Sequence, residues 1–349
     1  MKASNLLIAT ALLTSLAVSL LTRPTAAVAA PENGIGPILS AVVREPAVTK
    51  SPRPSGVPKQ SARAVAFDDP DAVAVRFDDG VTLHVLIGGS IRSLSLHDYL
   101  IGVVLAEMPG HFDREALRAQ AVASRSFALY KAKAHRHGQA DICGSSACCQ
   151  AWKNPADYDD DTLAPFIDAV ESTDGLVAVY EGEVIEAAFF ASTGGATEAA
   201  LTVWGGDIPY LKSVVSPGEA EMQYHSVTRS FSAAEFAGRI RAAYPSASLE
   251  GAPETWFSEL RRTEGGGLAS VCVGGVRISG EALRSLFSLR STEIDISVSN
   301  GAVVFRTSGY GHRVGMSQYG AQEMAKRGGS FSDILTHYYQ GVTLARLTH

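Results

Sequence analysis

YLIGVVLAEMPGHFDREALRAQAVASRSFALY, residues 99 to 130, carries two helical patterns on either side of a proline stop. The apolar run Val103, Val104, Leu105, Ala106 leads into Glu107, and Met108-Pro109 ends the helix, because proline disfavours the α region in the residue before it. A second helix opens at Asp113, suited to capping free N–H groups, and places Leu117, Ala121, Ser124 and Ala128 at three-to-four spacing. Helices are therefore predicted over 96–107 and 113–134. Glu107 falls in a last helical turn, beside unsatisfied carbonyls and the negative dipole end, where its charged form is disfavoured. Apolar neighbours push the same way, and a carboxyl that holds its proton near neutral pH is what general acid catalysis needs. The competing reading is an ordinary surface glutamate at a helix end.

Outward from this stretch, AVAVRF (72–77) and VTLHVL (81–86) flank Asp78-Asp79-Gly80 and read as a hairpin. A helix follows near 162–172, then a hairpin of 176–180 with 184–190 turning at Glu181-Gly182. Residues 217–295 read as a helix (232–243), strands at 256–263 and 268–273, and a short helix at 279–287. A strand pair turning at Asn300-Gly301 leads into C-terminal helices. This irregular alternation predicts an α+β fold, a mixed sheet with helices packed around a substrate cleft, rather than a doubly wound nucleotide fold.

The 349 residues, 46% of them apolar, suffice for one large domain or two modest ones. A net charge of −6 without a Lys/Arg block argues against a nucleic-acid surface. Lys2, the apolar run Leu6 to Leu21 and Ala27-Val28-Ala29 read as an export signal over residues 1–30, cleaved or kept as an anchor. Either way the body is expected outside the cytoplasm, secreted, periplasmic or membrane-anchored. Residues 31–63, punctuated by proline, read as a flexible tether, and 64–349 as the ordered domain with a variable segment at about 218–295.

Three more segments join the first: HRHGQADICGSSACCQAW (135–152), FFASTGGATEAALTVWGGDIPYLKSVVSP (189–217) and GYGHRVGMSQYGAQEMAKRGGSFSDILTHYYQGVTL (309–344). In order and wording the four resemble the SpoIID/LytB family of bacterial cell-wall proteins, from about residue 70 to the C-terminus and only weakly across 218–295. The resemblance implies a lytic transglycosylase that breaks the MurNAc–GlcNAc bond of peptidoglycan without adding water, leaving a 1,6-anhydro sugar. It implies Glu107 as catalytic acid/base. Arg125, in a run similar to the family's QAVAARTYAL, would hold substrate or developing charge; the competing reading is a helix-surface arginine paired with a nearby acid. A single carboxylate suffices, because the sugar's C6 hydroxyl is the internal nucleophile. Nothing in their spacing singles out Asp98, Asp113 or Glu115 as a second.

Substrate contacts implied by the resemblance are Ser192, Gly194 and Gly195, in a turn like the family's SSNGG with Thr193 in place of Asn, together with Tyr210, His312, Ser317, Gln318 and Tyr319. Trp204 and Tyr210 suit sugar stacking or core packing equally. Arg313 stands where the family pattern has glycine, so the turn must differ there if that position requires positive φ. His137, Cys143 and Cys149, six residues apart twice over, match family members that bind zinc, with His135 and Cys148 as substitutes. Disulfides Cys143–Cys149 and Cys148–Cys272, or free thiols, are the alternatives. The expected partners are glycan strands, in close relatives stripped of stem peptides, and a cell-wall amidase or membrane protein; no nucleic acid is expected. Two rival functions are a non-catalytic glycan-binding or amidase-activating module and a zinc hydrolase cutting amides, the latter without HExxH spacing.

Overall fold

The computed structural model describes residues 76–134, 137–219 and 226–347; the predicted export segment, the tether and His135 lie outside them. The first elements are α1 (Phe77–Gly80), β1 (Thr82–Ile87), β2 (Ser90–Ser95), α2 (Leu96–Glu107), α3 (Arg114–Ala132), β3 (Ile142–Cys143) and α4 (Asp160–Glu171). They continue with β4 (Leu176–Tyr180), β5 (Glu183–Val184), β6 (Phe189–Phe190) and α5 (Ala200–Trp204). A second set comprises β7 (Ser226–Ser232), α6 (Ala233–Ala243), β8 (Phe257–Arg262), β9 (Leu268–Val273), β10 (Val276–Ser279), α7 (Gly280–Phe287), β11 (Glu293–Ser299) and β12 (Ala302–Ser308). The chain then returns to the first lobe with β13 (Met316–Ser317), α8 (Gln318–Lys326), α9 (Phe331–Tyr338) and β14 (Thr343–Arg346).

The fold is α+β, with several small sheets where one mixed sheet was expected. Among the described residues only β2-β1-β3 mixes directions, β1 pairing antiparallel with β2 and parallel with β3. The orders β14-β4-β5, β10-β9-β8 and β11-β12-β7 are antiparallel, and β13 pairs parallel with β6. Among the described residues no helix is long and apolar enough to cross a membrane.

Helix α3 is the axis of the first lobe and packs on α2, α4, α8, α9 and β4. Ala116, Ala119, Ala121, Ala123 and Ala128 are all buried, so the neighbouring helices approach its backbone closely. Enlarging one of them would overpack the core at a cost of about 1–3 kcal/mol. Asp113 caps α3 through the Glu115 N–H at 2.9 Å, and α2 stops at Met108, which is extended (φ −128°, ψ 144°).

The predicted hairpin turning at 78–80 does not form. Asp174 accepts the N–H groups of Phe77 (2.9 Å) and Asp78 (3.0 Å), winding 77–80 into a helical turn. The hairpin instead joins β1 to β2 through Gly88 (φ 57°) and Gly89 (φ 83°), a pair able to take the left-handed conformations such a two-residue turn requires.

Residues 226–308 enclose a core of their own around Phe231, Phe236, Phe287, Phe305 and Trp256. The rings of Phe236 and Phe287 stack at 5.1 Å. Arg313 ties this second lobe to the first. It is fully buried, with Glu198 at 3.2 Å, Glu293 of β11 at 2.9 Å, and the carbonyls of Ala196 (2.9 Å) and Gly265 (2.5 Å). Its φ of +67° shows that positive φ persists there without glycine; the buried charge network offsets that strain. Gly265 is obligatory, since a Cβ would lie 2.2 Å from the Thr197 carbonyl.

Candidate active site

Glu107 is brought to its place by the close approach of two segments. Gly102 of α2 lets the stretch around Trp152 lie against the helix: a Cβ there would meet Trp152 Nε1 at 2.2 Å and the Lys153 carbonyl at 2.5 Å. The Lys153 N–H donates to the Gly102 carbonyl at 3.1 Å. This contact sets the Ala151 N–H 2.8 Å from Glu107 Oε1. From the other side, the Gln318 side chain at the start of α8 donates through Nε2 to Glu107 Oε2 at 3.3 Å. Ser317 fixes that start by accepting the Gly320 N–H at 3.2 Å. Burial raises the Glu107 pKa, and the two hydrogen bonds, Ala151 ahead of Gln318, only partly oppose it. The carboxyl thus keeps its proton further toward neutral pH than a free glutamate, yet two donors hold its anion in place.

A buried amide chain runs beneath. Gln318 Nε2 also reaches Gln120 Oε1 (3.4 Å), and Gln120 Nε2 donates to Ser124 Oγ (3.0 Å). Gln150 Nε2 donates to the Ser124 carbonyl (3.4 Å), and the Tyr99 hydroxyl to Gln150 Oε1 (3.0 Å). These neutral groups satisfy one another and rigidify the floor under Glu107.

Two concave spaces meet at Glu107. One, of about 650 Å³, is lined by Pro109, His111, Lys153, Asp161 and Phe166. The other, of about 610 Å³, is lined by Cys148, Cys149, Phe190, Trp204, Arg284 and His312, with Gln318 and Tyr310 at its wall. His312 accepts the Val314 N–H at Nδ1 (3.1 Å). Burial, and secondarily the Arg284 charge, hold it down to about 4, so its ring is neutral under physiological conditions.

The cysteine cluster borders the second space. The donor atoms of His137, Cys143, Cys148 and Cys149 all lie within 4.8 Å of one another. His137 Nε2 is 3.2 Å from Cys149 Sγ and 3.8 Å from Cys148 Sγ, and the two sulfurs are 4.0 Å apart. Tetrahedral zinc with bonds of about 2.0–2.3 Å needs donor separations of roughly 3.3–3.8 Å; the His137, Cys148 and Cys149 separations of 3.2, 3.8 and 4.0 Å lie close to that range, and Cys143, within 4.8 Å of the others, would draw in on a bound ion. Burial first, then the neighbouring thiols, push Cys149 up to about 12, a penalty on the free thiolate that a cation would reverse. No cysteine is bridged, and Cys272 is buried in β9 of the second lobe.

Comparison with known proteins places this geometry in a lineage. The profile of the SpoIID family, "Stage II sporulation protein", matches residues 88–180. The chain is 36% identical to Stage II sporulation protein D of Bacillus amyloliquefaciens, over 73% of this chain and 76% of that protein. It is 34% identical to the protein of the same name from Bacillus subtilis, again over 73% and 76%. The chain belongs to the SpoIID family. A more distant likeness, 27% identity over 70% of this chain and 40% of the relative, is to a protein named Amidase enhancer from Bacillus subtilis.

The family match spans Glu107, Arg125 and the cysteine loop, but the structure treats them differently. Glu107, Gln318, His312 and Cys149 line the same space, and the donor atoms of His137 and Cys143 lie within 4.8 Å of the Cys149 sulfur. Arg125 does not join them, which corrects its expected place at the substrate. It is fully buried, forked onto Asp78 at 2.6–3.0 Å, and donates to the carbonyls of Leu176 (3.0 Å) and Val170 (3.2 Å). Its donors are occupied by the protein itself, so Arg125 holds α1, α3 and β4 together.

Tyr210 is likewise a core residue, buried at 9% exposure with its hydroxyl accepting the Glu186 N–H (3.0 Å). The glycine turn has its N–H groups engaged within the protein: Thr193 on Glu219 (2.8 Å), Gly194 on Glu293 (3.0 Å), Gly195 on Thr193 Oγ1 (2.8 Å). Ser192 pairs by backbone with Tyr310 at 2.8 and 3.1 Å, and so positions a residue that does line the cavity. Ser317 is a buried cap, and Tyr319 is exposed with its ring edge-on to Phe112 at 5.1 Å. Gln120, Gln150, the Ala151 N–H and Arg284 were missed from the sequence; only Gln120, one turn before Ser124 on an alanine-rich helix face, gave a signal there.

Proposed function

We propose that this chain acts on the bacterial cell wall as a lytic transglycosylase of peptidoglycan glycan strands, working outside the cytoplasm. Family membership and the likeness to an amidase enhancer support the cell-wall role. The observation that carries the chemistry is Glu107, its pKa raised by burial, at the junction of two cavities of about 650 and 610 Å³.

In this reading the strand lies across both spaces with the scissile oxygen at Glu107. The carboxyl protonates the leaving oxygen as the MurNAc–GlcNAc bond breaks. The resulting carboxylate takes the proton of the sugar's C6 hydroxyl as that oxygen closes onto C1, giving the 1,6-anhydro ring and regenerating the acid. The Ala151 and Gln318 donors hold the anion in position between the two transfers. His137, Cys143, Cys148 and Cys149 would hold a zinc ion, which, bound by four protein donors, supplies a structural cross-link. That cross-link would brace Cys149-Gln150-Ala151, the segment that presents the Ala151 N–H to Glu107.

Release of soluble fragments from purified peptidoglycan by wild type, lost by at least a hundredfold in Glu107→Gln, is expected. Fragments released equally by Glu107→Gln would remove Glu107 from the chemistry. The amidase enhancer likeness favours a second reading, a non-catalytic module that stimulates a wall amidase; it requires that neither protein release glycan fragments while both stimulate the amidase.

A further inference from the structure

A cavity of about 170 Å³ lies where the two lobes meet, and it shares no lining residue with the two spaces at Glu107. Glu198 and Thr202 reach it from the first lobe, and Thr263, Ser279, Glu281 and Thr292 from the second. Two carboxylate oxygens are left over in its wall. Glu198 is 1% exposed, and its Oε1 accepts the Thr263 hydroxyl (2.6 Å), the Gly267 N–H (3.1 Å) and Arg313 (3.2 Å). Its Oε2 is buried and has no hydrogen-bond partner among the described residues. Oε1 of Glu281 is buried and unpartnered in the same way, while Oε2 stands 3.5 Å from Arg284. A charged acceptor shut away from water without a partner is costly, and here two of them line one cavity.

The charge balance favours a cation there. Arg313 is shared between Glu198 and Glu293, so one guanidinium serves two carboxylates. Arg284 is further from Glu281 than a charge-assisted hydrogen bond allows. The wall therefore holds more negative charge than these two arginines neutralise.

The donors decide which cation. Carboxylate and hydroxyl oxygens are hard ligands, and among the described residues neither sulfur nor imidazole lines this cavity. The oxygens come from separate stretches: the segment entering α5, the β8–β9 loop, the start of α7 and the approach to β11. Such an irregular set suits calcium, which takes six to eight oxygens at about 2.3–2.6 Å in adaptable geometry. Magnesium demands a near-ideal octahedron at about 2.0–2.1 Å. The volume leaves room for the ion and a few waters.

We propose that this cavity binds one calcium ion through Glu198 Oε2 and Glu281 Oε1, with neighbouring hydroxyls and water completing the shell. The ion clamps α7 to the first lobe, beside the cross-link that Arg313 makes. It is separate from the Cys/His cluster, whose sulfur donors favour zinc. The proposal goes beyond the glycan chemistry and stands or falls independently of it.

The test is calorimetric titration of calcium chloride into the whole protein, zinc retained, after dialysis against calcium-free buffer, with melting followed in parallel. One site per chain is expected, with a dissociation constant of about 0.1–1 mM for so few charged ligands. Calcium at tenfold that constant or more should raise the melting temperature by roughly 3–6 °C, and magnesium at the same concentration by much less. Glu281 is 39% exposed in its side chain, so Glu281→Gln should melt like wild type without calcium. Its calcium affinity should fall at least tenfold. No calcium binding by wild type, an equal shift with magnesium, or an unchanged affinity in Glu281→Gln overturns the site.

Discussion

Gln318 Nε2 stands 3.3 Å from Glu107 Oε2 and 3.4 Å from Gln120 Oε1, so one amide joins the start of α8 to the end of α2 and the interior of α3. The link spans 211 positions of sequence and is part of a network that is otherwise neutral and buried. Because the amide donates to the carboxylate, it lowers a pKa that burial has raised. In Gln318→Leu that restraint is gone and the Glu107 pKa rises further. The alkaline limb of the rate profile should then move to higher pH, and kcat should fall about tenfold or more, for the loss of a hydrogen bond to a charged group worth roughly 1.5–3 kcal/mol. Rate–pH profiles of the two proteins check this; an unmoved alkaline limb would dissociate Gln318 from the acid.

Glu107 also makes a prediction about stability. Its folded-state pKa lies above the unfolded value, so the unfavourable buried charge is absent below the ordinary glutamate pKa. The penalty grows as pH rises toward and through the folded pKa. Glu107→Gln should therefore melt higher than wild type at neutral and alkaline pH, and the gap should close under acid conditions. Scanning calorimetry across that range reads it directly, and a gap that widens toward acid would have the wrong sign.

Arg125 and Asp78 form a pair with side chains 0% and 1% exposed. Removing one partner leaves the other charged and buried, so Arg125→Ala and Asp78→Ala should each cost about 3–5 kcal/mol in denaturant unfolding. If Arg125 acted on substrate instead, Arg125→Lys would fold normally and lose only kcat.

The His137, Cys143, Cys148 and Cys149 donors predict one zinc ion per chain by elemental analysis. Chelation should lower the melting temperature and, by loosening the Ala151 contact, the activity with it. Cys148→Ser should weaken metal retention, as expected for a fourth ligand. Full activity and an unchanged melting temperature in chelator would exclude the site.

The local code of this chain was readable where short-range rules act. The Pro109 stop, the Asp113 cap and the turns at Glu181-Gly182 and Asn300-Gly301 all appear in the structure, because proline geometry, capping and positive-φ turns depend on a few adjacent residues. The misplaced first hairpin shows the limit of that code. Asp78 looked like a turn residue until Arg125, 47 positions away, drew it into the core. The same long-range pairing removed Arg125 from the cleft. The small separate sheets and the core of the second lobe depend on register and on aromatic contacts such as Phe236 with Phe287 and Phe305, which no local pattern encodes. At the candidate site, residue types such as Glu107 and the Cys/His cluster were legible. The backbone donor at Ala151 was not, because a peptide N–H leaves no mark on the sequence.

The most direct test of the proposed chemistry is to digest peptidoglycan in water enriched in oxygen-18 and weigh the new glycan ends. Internal attack by the C6 hydroxyl predicts ends lighter by one water than a hydrolysed sugar, carrying no heavy oxygen, and missing when Glu107 is glutamine. Reducing ends that contain the heavy isotope would contradict it and show that water, not the sugar, is the nucleophile.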